Sequence, residues 1–105
     1  MIMETSFFKA IHEKRLVKIQ YNSKSKGIIE RVCVPLDYGP SKRSKDQSNK
    51  YHFLDLDSPD GAHVLPVSPD RLLRIELLNE YFNPEQYVTW DNIEWFVPRD
   101  WGEKS

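Results

Sequence analysis

The stretch YHFLDLDSPDGA, residues 51–62, gathers a histidine, two aromatics and three aspartates. Asp55 and Asp57 have the spacing of the first two ligands of a twelve-residue calcium loop. Pro59 then occupies the third ligand position, Asp60 the turn-glycine position and Pro66 the position of the bidentate glutamate, so the spacing argues against calcium. A zinc site would draw on His12, His52 and His63, yet none has an H-x-x-x-H or H-E-x-x-H neighbour. His52 and His63 facing each other across a hairpin would supply two ligands at most. Cys33 is the single cysteine, which excludes an intramolecular disulfide and zinc sites of four cysteines or of two cysteines and two histidines. In the strand-like run RVCVPL it fits a buried small residue; a nucleophile is the other option. No G-x-S-x-G elbow, phosphate-loop motif or G-x-G-x-x-G occurs. These patterns point to a non-enzyme without metal or cofactor.

Anion binding is the chemistry that remains. Residues 1–50 hold eleven Lys/Arg against five Asp/Glu, whereas residues 76–105 hold two against seven. A net charge of −1 therefore conceals a basic half and an acidic tail. That polarity suits an anionic partner on one side; a solvated surface neutralised by folding would have the same sums. The candidate ligand-binding residues are Tyr21, Arg31, His52, His63 and Arg71, with Lys42, Arg43 and Lys45 as an auxiliary basic loop. Aromatic side chains in a basic field are how small barrels hold single strands. Tyr21 fits a pocket wall or the core equally, and Arg71 would pair as readily with Asp70 or Glu76 at the surface.

Six elements must position these groups. Residues 5–14 read as a helix, with Thr5 or Ser6 as its cap and Phe7, Phe8 and Ile11 as an apolar stripe. The period then falls to two. Val17, Ile19 and Tyr21 alternate with polar residues, and after the turn SKSKG a second strand sets Val32, Val34 and Leu36 opposite Arg31 and Cys33. Pro35 should weaken its pairing. Residues 38–50 read as a polar basic loop. In the third strand Tyr51, Phe53, Asp55 and Asp57 point one way, and His52, Leu54 and Leu56 the other. SPDG turns the chain back into AHVLPV, and RLLRIELL reads best as a fifth strand. Residues 89–97 fit a helix face (Trp90, Ile93, Val97) or a strand face (Ile93, Trp95, Val97). The pattern predicts a mainly β domain, a small five-strand barrel with a leading helix. One domain covers residues 1–105, with the barrel in 5–84 and an aromatic extension in 85–105 docked on the barrel or on a partner. No apolar run reaches the ~18 residues of a membrane span, and the N-terminus lacks signal-peptide features, so a cytoplasmic protein is expected.

Residues 7–84 resemble the WYL domain family of bacterial regulatory proteins. FFKAIHEKRLVKIQY is similar to the family's helix, basic turn and strand ending in Tyr21, and ERVCVPLDY to its Arg-x-x-x-Pro strand, with Arg31 and Pro35. HFLDLD falls where the name-giving Trp-Tyr-Leu strand belongs, and HVLPVSPDRLLRIELLNEYFNP resembles the closing hairpin and Arg-Ile strand, with Arg71 at the family's arginine. The resemblance implies an Sm-like, Src-homology-3-like barrel and a ligand-sensing role toward nucleic acid or nucleotide-like anions. Two departures stand out: His52 replaces the tryptophan, and His63 stands where a basic residue is usual. With the match beginning at Phe7, no winged-helix segment precedes it, so a free-standing or partnered sensor is expected. A protein–protein or homodimer module using Trp90, Trp95 and Trp101 is the alternative.

Overall fold

Strand β2 (Gly27–Pro40) is the hinge of the architecture, because its two halves serve different partners. Its first half pairs antiparallel with β1 (Arg15–Ser23), from Ser23↔Gly27 to Val17↔Cys33. Its second half pairs with β3 (Asn49–Asp55), from Cys33↔Asp55 to Pro40↔Asn49. The register shifts between Pro35 and Asp37, where proline offers no ladder donor. A strand that changes partners through a bulge bends, and so curls the sheet. In this computed structural model, which describes residues 3–41, 47–90 and 93–105, β4 (His63–Val67) and β5 (Leu72–Tyr81) complete the order β4-β3-β2-β1-β5.

β4 and β5 are the two edges. The Ser68 carbonyl accepts from the backbone N–H groups of Arg71 and Leu72, at 2.9 and 3.2 Å, and this turn carries the chain from one edge to the other. No ladder between β4 and β5 closes the sheet among the described residues, so the observed unit is a curled, open antiparallel sheet where a closed barrel was expected. β2 also runs on through Tyr38–Pro40 and β3 begins at Asn49, so the expected loop at 38–50 is shorter than its polarity suggested.

Helix α1 (Met3–Glu13) buries Phe7, Ala10 and Ile11, the i, i+3, i+4 stripe, against one face of the sheet. Thr5 and Ser6 lie inside this helix rather than at its cap. Lys14 ends it with a left-handed φ of 57°. The Phe7 ring meets Tyr51 and Phe53 edge-on, with centroids 5.0 and 5.3 Å away. Full burial of such a ring contributes about 1.5–3 kcal/mol. In β5 the register slips at Leu73, so Leu72 faces inward beside Tyr21 while Leu73 is exposed. The plain alternation expected for RLLRIELL therefore breaks at its first turn of the pleat.

Beyond the short helix α2 (Pro84–Tyr87), the described residues among 89–97 form neither of the regular elements considered for them. The tail instead packs through side chains. Trp101 is buried, donates from Nε1 to the Ile11 carbonyl at 2.8 Å, and meets Phe82 and Trp95 edge-on. The Trp95 Nε1 donates to the Lys104 carbonyl at 2.8 Å.

Candidate functional site

Residues directly opposite in an antiparallel pair share a face, so the register fixes which groups meet. Tyr21 pairs with Ile29 and with Leu72, and lies at the corner where β5 begins. There the Asn22 N–H donates to the Arg71 carbonyl at 2.9 Å, while Arg71 Nη1 donates back to the Asn22 carbonyl at 3.1 Å. This reciprocal pair holds the arginine against the end of β1. A guanidinium has five N–H donors, and this bond uses one.

Arg71 and Tyr21 line one cleft of about 440 Å³. Lys24 from the first hairpin turn, Lys50 from the start of β3 and Leu65 and Val67 from β4 complete its main walls. No carboxylate lies among its described lining residues. Burial pushes the Tyr21 phenol above its ordinary range, and nearby Asp55 adds to that, while Arg31 opposes it. At neutral pH its hydroxyl is therefore a hydrogen-bond donor. Cations, a neutral phenol and serine hydroxyls facing an open cleft are suited to the oxygens of an anion.

The other expected site residues lie elsewhere. His52 lines a second cleft of about 600 Å³, with Leu36, Val64, Trp90, Trp95 and Phe96. Its Nε2–H donates to the Gly39 carbonyl at 2.9 Å. His52 and Arg71 do not share a recess, because successive β4 side chains point to opposite faces: Val64 lines the His52 cleft, Leu65 the Arg71 cleft, and Pro66 borders both. Arg31 lines neither cleft. Its Nε is 3.3 Å from the Asp55 carboxylate, a contact whose alignment leaves that nitrogen without a hydrogen bond. His63 sits opposite Asp55 at the far end of β4, exposed, with Nδ1–H donating to the Gly61 carbonyl at 3.2 Å. Lys42, Arg43 and Lys45 lie outside the described residues.

Lys24 was not among the expected site residues. Its signal was the hairpin turn SKSKG, which a two-stranded pairing brings level with the start of β5. Among the described residues, no three His, Cys, Asp or Glu side chains group as metal ligands, and no helix is long and apolar enough to cross a membrane. The tail interface is also reduced. Trp101 is buried and Trp95 half-buried within the chain, leaving Trp90 and Phe96 as its exposed large rings.

No family model matches the chain, and no curated protein matches it. Among solved structures, proteasome accessory factor B/C (PafBC) of Arthrobacter aurescens is similar, with a TM-score of 0.58 and 20% identity over 84% of this chain. The matched region spans 13% of that protein, so the likeness is one of fold across a small segment of a much longer molecule.

Proposed function

We propose that the chain is a non-catalytic, WYL-like regulatory module of the cytoplasm, whose Arg71 cleft binds the phosphate groups of nucleic acid or of a nucleotide-like anion. One observation carries this: Lys24, Lys50, Arg71 and Tyr21 line a single cleft, and no carboxylate is among its described lining residues. The fold shared with a segment of PafBC, a WYL-domain-containing regulator, supports the relationship. The curl of the sheet, with its two edges meeting at the Ser68–Arg71 turn, is what an Sm-like barrel opened along one seam would give.

Binding in this cleft is electrostatic and preorganised. The Asn22 carbonyl already holds Arg71, so little side-chain freedom is lost when an anion arrives. Arg31 and His63 have no part in it, since one neutralises Asp55 and the other stands at the opposite end of β4. A labelled short single strand titrated into the whole chain tests the proposal. Arg71→Ala should weaken binding by about tenfold, the worth of one charge-assisted hydrogen bond. Affinity unchanged by Arg71→Ala would reject the cleft. An interface through the tail is the second possibility, favoured by the exposure of Trp90 and Phe96.

A further inference from the structure

We infer that the aromatic cleft beside His52 is a base-stacking subsite, so that the ligand is a single-stranded nucleic acid crossing β4 with its phosphates in the Arg71 cleft and its bases against the tail. The inference rests on the phosphate-binding role proposed for the Arg71 cleft and adds a second, chemically different site.

Two rings in the tail keep exposed surface, although Trp90 also meets Trp95 edge-on with centroids 6.3 Å apart. Trp90 is 38% and Phe96 55% exposed, although Trp95 and Trp101 of the same segment are engaged inside the chain. Phe96 lies so close over Gly39 that a β-carbon there would overlap its ring. The ring is thus held against the backbone of β2 while more than half of the residue stays open to a ligand. His52 is pinned beside them by the same Gly39, through its carbonyl. Rings held this way lose little freedom when something stacks on them.

The charge pattern separates the two clefts. Among the described residues, the aromatic cleft is lined by no Lys or Arg, and its lining includes Asp37 and Glu94. Asp37 is already neutralised by Arg99. Neutral bases, with π faces and N–H donors, fit such an aromatic lining. Cations gather instead in the adjoining cleft, and the two clefts share Ser41 and Pro66 as a common wall. A polymer that alternates charged and aromatic groups matches this division better than a mononucleotide or a uniformly charged anion.

The test compares two labelled strands of about eight nucleotides, within the range a small barrel covers. One is oligothymidylate; the other has the same sugar–phosphate backbone without bases. The whole chain should bind the thymidine strand about tenfold more tightly, the worth of one to two stacked bases. Trp90→Ala combined with Phe96→Ala should bring the thymidine strand down to the abasic level and leave the abasic affinity unchanged. Arg71→Ala should weaken both strands by the same factor. Equal affinity of the native chain for the two strands overturns the stacking subsite and leaves the phosphate cleft standing; this comparison needs no variant. Binding of neither strand overturns both sites. A base preference that survives the double substitution also overturns this subsite and leaves the aromatic cleft to a polypeptide partner.

Discussion

Asp37 on β2 and Arg99 in the tail form a buried ion pair, Arg99 Nη2 lying 3.1 Å from Asp37 Oδ1. The guanidinium is fully buried between two indoles, 3.9 Å from the Trp95 centroid and 4.5 Å from that of Trp101, and it also donates to the Leu36 carbonyl. Asp37 in turn accepts from the backbone N–H groups of Phe96 and Val97, both at 3.0 Å. Burial lowers the Arg99 pKa to about 10, against the opposing pull of Asp37, so the group is cationic at neutral pH. This clamp fixes the tail, and with it one wall of the aromatic cleft.

Arg99→Ala should cost about 3–5 kcal/mol, because it strands a buried carboxylate. Urea unfolding followed by tryptophan emission measures this, and the native emission should shift to the red as Trp95 and Trp101 lose their cover. Arg99→Lys should fall between the two, since an ammonium keeps the charge but neither the fork nor the planar stacking. Native stability in Arg99→Ala would show that the clamp does not hold the tail.

Gly39→Ala should cost on the order of 1–3 kcal/mol by driving Phe96 off β2. In a Phe96→Ala background the same change should be nearly neutral, a coupling that a double-mutant cycle reads directly. Equal costs in the two backgrounds would contradict the contact.

The clamp also marks where the sequence stopped being informative. Strands β1, β3 and β4 were legible because Val17, Ile19 and Tyr21, or Tyr51 and Phe53, alternate with polar neighbours at a period of two. Weakened pairing at Pro35 was legible from the missing donor; that it takes the form of a register shift was not. The tail was not, since it is held by Arg99 and three indoles rather than by periodic burial, and the spacing W-F-V-P-R-D-W hints at cation–π stacking only once a fold brings the rings together. Tyr21 and Arg71 were read as site residues from their types, and they do line one cleft. His52 lines the other cleft because the β3 pleat puts it on the face of its partner Pro66 and of Val64, not on that of Leu65 and Val67. Arg31 lies outside both clefts because its Nε sits against the buried Asp55, a pairing that the sequence order did not reveal.

Arg31→Ala should therefore act on stability and not on ligand affinity. Asp55 is 2% exposed and would lose its counter-charge, at a cost of about 3 kcal/mol. Arg31→Met with Asp55→Leu should recover much of that loss. A weakened affinity in a still-folded Arg31→Ala protein would return the residue to the binding site.

Cys33 should resist thiol reagents at pH 8 until the protein unfolds. It is fully buried, and burial, reinforced by Asp55 and Asp57, raises its thiol well above the ordinary value of 9.0. The unfolded chain therefore releases this proton at a lower pH than the folded chain. Its contribution to stability is complete below pH 9.0 and is lost as the pH rises beyond it. Melting temperatures measured across that range should fall less steeply in Cys33→Ala than in the native chain; identical slopes would contradict the linkage.

The most direct test of the central claim is the salt dependence of binding to a short single strand. If Lys24, Lys50 and Arg71 hold phosphates, the logarithm of affinity should fall linearly with the logarithm of salt concentration, by roughly 0.7 for each phosphate neutralised. Arg71→Ala should make that slope shallower by about 0.7. A salt-independent affinity, or a slope the same in the native chain and in Arg71→Ala, would contradict the account.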